Sequence, residues 1–153
     1  MTILFNTIRP DYAFFGQKDA QQVAVIKRLT KDLGFDTEIV VGKTIREESG
    51  LAMSSRNAHL SAEERQKASV IYQALRKAKL AVREGERNAV QIAEIVREKI
   101  AAEPLAQLDY VAIVDADTLE PVERIAENAV LIAVAAHFGS TRLIDNTVIN
   151  RRQ

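Results

Sequence analysis

Two short stretches carry the residue types that handle phosphate. The first is FGQKDAQQ, residues 15–22. Its pattern predicts a strand ending at Phe15, a turn at Gly16 and a helix starting near Asp19. A helix N-terminus offers free amides and a partial positive charge, and both favour anions. In parallel α/β sheets, ligands bind at the carboxyl ends of strands, where this junction falls. Lys18 adds a mobile cation that could follow a phosphate. Asp19 could orient a hydroxyl, and Gln22, one turn on, could face the same crevice. A plainer account stays open: Asp19 as an N-cap and Lys18 as a solvated side chain. Neither GxGxxG nor a Walker A motif is present.

The second stretch is GLAMSSRN, residues 50–57. Ser54 and Ser55 supply hydroxyls, and Arg56 supplies a planar fork for charge-assisted bonds to phosphate oxygens. A Ser- and Asn-rich turn ahead of a capped helix would explain the same residues.

Other polar residues invite less. His59 lies in the same loop and His137 follows an apolar run; two distant histidines do not make a metal site. Asp115 and Asp117 flank a predicted turn. Arg142 and Asp145, three apart, are expected to form an internal ion pair. Glu47, Glu48 and the mixed charges of the long helices are expected to be solvated surface.

The elements that must position these groups follow from periodicity. Residues 2–9 read as a short helix end, stopped by Pro10. Residues 12–15 read as a brief buried strand. Helical spacing over residues 19–33 places Val23, Ile26 and Leu33 on one face, with Val25 and Leu29 beside it. Gly34 closes that helix as an αL cap. Residues 37–41 are β-branched and predict a strand, which completes a parallel strand–helix–strand unit. Residues 42–60 are polar and aperiodic, a linker or site loop with Gly50 as its hinge. Ser61 and Glu64 form a capping-box pattern before a long helix carrying Ala68, Ile71, Leu75, Ala78 and Val82 inward. Gly85 stops it. A second helix over residues 88–102 turns Ala89, Ala93, Val96 and Ile100 inward. Strands are expected at 108–114, 129–136 and 143–149, with a short edge piece at Pro121 and Val122. The later part is therefore α+β, a small sheet covered by two helices.

Composition excludes several classes. The 21 basic and 21 acidic residues cancel, so no field suits nucleic acid. There is no cysteine, which removes disulfides and thiol chemistry and favours the cytoplasm. The longest apolar run, residues 129–136, is far short of the roughly 20 residues needed to span a membrane. The chain begins as if cut from the middle of a longer one, reaching an apolar helical turn at once.

The paired stretches resemble a known family. FGQKDAQQVAVIKR followed by REESGLAMSSRNAHLS strongly resembles the pantoate–β-alanine ligases, and TRLIDN, residues 141–146, resembles that family's ending. The likeness runs over essentially the whole chain but covers only the later part of the family's usual length. The family's earlier half, with its HxGH-type nucleotidyltransferase motif, is not among these residues.

The resemblance implies an α/β fold: the tail of a Rossmann-like nucleotidyltransferase domain (residues 1–43), a hinge and ATP-phosphate loop (44–60), and a small α+β lid domain (61–153). It implies ATP-dependent joining of pantoate to β-alanine through a pantoyl adenylate, with Mg²⁺ accompanying ATP. Gly16, Gln17, Lys18 and Asp19 match the family's ATP-contacting Gly-Glu-Lys-Asp; Gln17 stands where the carboxylate usually is, so a carboxylate role there is lost. Gln22 matches the pantoate-binding glutamine, and Ile45 falls at an ATP-touching position. Met53, Ser54, Ser55 and Arg56 match the flexible loop, similar to the KMSKS loop of related adenylate-forming enzymes. Lys18, Ser54, Ser55 and Arg56 are the expected catalytic residues. The resemblance further implies a homodimer with no resident metal site, no nucleic acid and no membrane partner, and little activity from these residues alone.

Overall fold

The structure, a computed structural model, describes residues 1–126 and 128–150. The chain divides into two compact units that join at Thr44 and Ile45.

The first unit runs α1 (Thr2–Ile8), β1 (Tyr12–Gly16), α2 (Ala20–Asp32), β2 (Glu38–Gly42). β1 and β2 pair in parallel, Tyr12 opposite Glu38 and Gly16 opposite Gly42. α2 is the crossover between them. It ends as expected at Gly34, whose φ of +63° supports a Schellman turn: Gly34 N–H donates to Lys31 O, and Phe35 N–H to Thr30 O. Phe5 and Phe35 meet edge to face, their centroids 5.6 Å apart. Thr37 Oγ1 donates to Pro10 O at 2.9 Å and ties the start of β2 to the start of β1.

Two expectations fail in this unit. β1 is not a buried strand: its side chains alternate, and Phe14 is 76% exposed. Full burial needs a layer on each face of a parallel sheet; α2 packs on β1 and β2, and the face that carries Tyr12 and Phe14 is exposed. Leu33 is exposed as well. The inward face of α2 is Val23, Ile26 and Thr30, and Leu33 falls beyond the last helical turn, where the chain departs into Gly34.

The second unit runs α3 (Ala62–Lys67), α4 (Val70–Arg83), α5 (Ala89–Ala101), β3 (Ala106–Asp115), β4 (Val130–Phe138), β5 (Thr141–Ile149). The strands form one antiparallel sheet in the order β3-β4-β5. β4 is central and buried at every position but His137. α4 and α5 pack together against this sheet. The residues the periodicity turns inward are all buried, Ala68 just ahead of α4, and they are joined by Val70, Ala74 and Ile92, which it does not name. Ile71, Leu75, Val96, Ile100, Ile132, Val134 and Phe138 are among the largest side chains in the core; each such side chain contributes about 1.5–3 kcal/mol by leaving water.

The single long helix expected after Ser61 is two. α3 ends at Lys67, and Ser69 Oγ turns back to donate to Gln66 O at 2.9 Å. A serine that bonds its own backbone competes with helix propagation. Asp115 makes the predicted turn, its carboxylate accepting from the amides of Asp117 and Thr118.

Candidate functional site

In the first unit, β1 ends at Gly16 and a 3-10 turn, Gln17–Asp19, leads into α2. The turn brings Gly16, Gln17, Lys18 and Asp19 to the carboxyl end of the parallel pair. Lys18 is half-buried; Asp19 is exposed. Asp19 occupies the N-cap position of α2, but its side chain makes no capping bond. The plain capping account of this residue is therefore not what the structure shows. Gln22 is exposed in the first turn of α2.

In the second unit, the aperiodic stretch after Thr44 proves to be a tight hairpin. Arg46 and Ala52 bridge antiparallel. Met53 N–H donates to Ile45 O at 2.9 Å and Glu47 N–H to Leu51 O at 2.8 Å, so Ile45 and Met53 sit side by side. Leu51 and Ala52 are each 4% exposed, and Leu51 joins the core. From this base a 3-10 helix, Ser55–His59, projects the next residues. Ser54 Oγ caps it by accepting from Arg56 N–H at 3.3 Å. Ser55 and Arg56 are exposed, and Arg56 enters no ion pair among the described residues. The arginine is thus presented to solvent from a fixed stem.

Gly50, expected as a hinge, lies within that stem. Its φ of +93° needs glycine, and a Cβ there would lie 2.4 Å from Tyr72 Cδ1. Its N–H donates to Glu47 O at 2.8 Å, and its carbonyl accepts from Arg46 Nη1 at 3.1 Å.

Three further residues brace the loop. Glu47 is no solvated bystander: its carboxylate accepts from Arg65 Nε and Nη2, both at 3.0 Å, and from Asn57 Nδ2 at 2.8 Å. Arg65 first, then Asn57, hold its carboxyl below the usual carboxylate range. Asn57 is 4% exposed and also donates to Ala52 O. Its Oδ1 is buried with no hydrogen-bond donor among the described residues.

The third is Arg46, which meets Asp145 of β5 at 2.5 and 3.0 Å and lies over the Tyr72 ring, 4.1 Å from its centroid. The expected Arg142–Asp145 pair does not form. On a strand, residues three apart point to opposite faces. Arg142 bonds Asp109 at 2.9 Å instead, at the bulge of β3. The period-2 rule applied to TRLIDN would have exposed that error, but nothing local points from Asp145 to Arg46.

Each unit thus gathers its own set: Gly16, Gln17, Lys18, Asp19 and Gln22 in one, Ile45, Met53, Ser54, Ser55 and Arg56 in the other. Among the described residues, no group of three or more His, Asp or Glu side chains is placed to hold a metal, and no helix is long and apolar enough to cross a membrane.

This fold is found among solved ligases. The crystal structure of pantothenate synthetase from Thermus thermophilus matches with a TM-score of 0.86 at 41% identity, over 95% of this chain and 52% of that one. The pantoate–β-alanine ligase of Francisella tularensis, complexed with Beta-gamma ATP and β-alanine, matches at 0.63 and 30% identity, over 95% of this chain and 46% of that one. The pantothenate synthetase of Caldicellulosiruptor saccharolyticus is 51% identical over 146 residues, 95% of this chain and 52% of its own length. A family model, that of pantoate-beta-alanine ligase, covers residues 1–148. The chain belongs to the pantoate–β-alanine ligase family. It spans about half the length of the curated relatives it matches.

Proposed function

We propose that this chain serves the ATP-dependent condensation of pantoate with β-alanine. A pantoate carboxylate oxygen attacks the α-phosphorus of ATP, and the bond to pyrophosphate breaks, leaving a pantoyl adenylate. The β-alanine amine, having lost its proton, then attacks the acyl carbon, and AMP leaves with the C–O electron pair. The observation that carries this reading is the exposed Arg56 beside Ser54 and Ser55 on a braced stem. Such a group offsets charge on pyrophosphate as it departs, an electrostatic role that needs no covalent intermediate.

Gly16, Gln17, Lys18 and Asp19 are assigned to ATP, with Lys18 following a phosphate, and Ile45 and Met53 to apolar contact with the nucleotide. Gln22 is assigned to pantoate. Mg²⁺ enters with ATP as part of the substrate, since magnesium is commonly held by substrate phosphates with few protein ligands. Residues 1–43 act as the end of a nucleotide-binding domain, 44–60 as the phosphate loop and its connection, and 61–153 as a lid, in a homodimeric cytoplasmic enzyme. The lid's task is to position the reacting atoms and keep water from a labile adenylate.

Residues 1–153 alone have little or no turnover in this reading. The experiment is pantoate-dependent pyrophosphate release, with and without the first half of a relative added in trans. Restored pantothenate formation on mixing supports the ligase reading. A second reading is favoured by the second unit's having a buried core of its own: a non-catalytic lid or assembly module that binds ATP weakly. ATP binding without restored turnover would select it.

A further inference from the structure

We propose that Asp145 is a positioning residue for the loop of residues 53–57, acting through Arg46. Asp145 is fixed twice over. It lies within β5, opposite Val134 of β4, and its Oδ1 accepts from the Asn146 N–H at 2.8 Å. Its side chain is 4% exposed, and that of Arg46 is 19% exposed. The contacts of Arg46 converge on the hairpin and its support. Its two guanidinium nitrogens Nη1 and Nη2 divide the Asp145 carboxylate, Nη1 also donates to Gly50 O, and the Cζ carbon stacks on Tyr72. Tyr72 in turn covers Gly50. Only an arginine can bond in a fork and stack at once.

Position, more than stability, explains why a charge pair stands here. A buried ion pair is weak evidence for stability, because well-packed apolar residues of similar volume often stabilise as much or more. What apolar residues cannot do is fix the register of Arg46 against Gly50 O. That register sets Ile45 against Met53, and Met53 begins the segment that presents Ser54, Ser55 and Arg56. Asp145 thereby ties a rigid sheet to the segment read above as the phosphate loop, and the proposal rests on that reading for its functional meaning.

Amide hydrogen exchange tests it directly. The N–H groups of Met53 and Asn57 are bonded to Ile45 O and Ser54 O, and that of Arg56 to Ser54 Oγ, so all three report loop order. Asp145→Asn should speed their exchange about tenfold while β4 amides keep their protection, the signature of a local opening. The apolar double variant Arg46→Met/Asp145→Leu should recover the midpoint of urea unfolding yet leave the loop amides fast. If Asp145→Asn unfolds the unit, Arg46→Lys carries the same test, since it keeps the charge and loses fork and stack. Unchanged loop exchange overturns the proposal. So does a double variant that restores loop protection together with stability, because the pair would then be structural only. Whether the loop holds phosphate is read separately, from the effect of Arg56→Ala on MgATP affinity, so the two ideas fail independently.

Discussion

Arg46 and Asp145 stand 99 positions apart, and their side chains meet through two hydrogen bonds of 2.5 and 3.0 Å. A few residues away, Arg142 and Asp109 make an ion pair with side chains 42% and 40% exposed. The two pairs look alike in a drawing and should behave differently. Asp145→Ala leaves a largely buried cation without its partner and should cost about 3–5 kcal/mol. Arg142→Ala removes an exposed pair and should cost about 1 kcal/mol or less. Urea unfolding of the two variants checks the ranking, and equal losses would contradict it.

Glycine positions should rank by what a methyl group meets. Gly50 and Gly34 both have positive φ, but a Cβ at Gly34 meets nothing within 4 Å, whereas at Gly50 it meets the Tyr72 ring at 2.4 Å. Gly34→Ala should cost about 1 kcal/mol, the backbone term alone. Gly50→Ala adds a steric clash and should cost at least about 2 kcal/mol more, the range of an overpacked site. Thermal unfolding with a near-ultraviolet signal from Tyr72 would show whether the ring is displaced.

The helix caps give a third test. Ser61 and Glu64 form a reciprocal box, with Ser61 N–H donating to Glu64 Oε2 at 2.7 Å and Glu64 N–H to Ser61 Oγ at 3.2 Å. Asn88 Oδ1 accepts from the amides of Val90 and Gln91 at the start of α5. Ser61→Ala and Asn88→Ala should each cost about 1 kcal/mol, and the double variant should lose close to their sum, because the caps belong to different helices. Chemical denaturation measures all three.

Acid should loosen the second unit in a defined direction. Glu47, Glu86 and Asp115 all sit below the usual carboxylate range, held there chiefly by Arg65, by the Asn88 and Arg87 amides, and by the Thr118 and Asp117 amides respectively. A lowered carboxyl stabilises the fold while the unfolded chain would also be charged, above about pH 4. That contribution drains away as the pH falls through the lower folded-state values. Stability should therefore be flat near neutrality and fall on acidification, and Asp115→Asn should show a shallower fall. Urea midpoints taken across that range decide it; a steeper fall in the variant would reverse the sign.

At the candidate site, Lys18→Ala and Arg56→Ala should each weaken MgATP binding about tenfold, the worth of a charge-assisted hydrogen bond to phosphate. Titration calorimetry reads both. If neither variant loses affinity, the phosphate assignment is wrong.

What could be read from the sequence was what is encoded nearby. The Ser61–Glu64 box, the Gly34 cap, the Asp115 turn and the apolar run of β4 are each specified within a few residues, and each is found. The segment of residues 53–56 was recognisable as a motif, but its 3-10 shape was not, because that shape depends on Asn57, Glu47 and Arg65 converging from separate stretches. Phe14 misled because an aromatic run reads as buried whichever neighbours the strand has. Asp145 misled because it was matched to the nearest opposite charge in the chain, and burial depends on neighbours in space.

The span between Arg46 and Asp145 also orders events during synthesis. The loop sequence leaves the ribosome long before β5 exists. Until residue 145 has been made and β5 has paired with β4, Arg46 has no carboxylate to grip, and closing so long a span carries its own entropic cost. A nascent chain released before that point would carry the motif and its local braces without the Asp145 tie. The tie from β5 is therefore a late addition to the loop, arriving only once β5 has paired with β4.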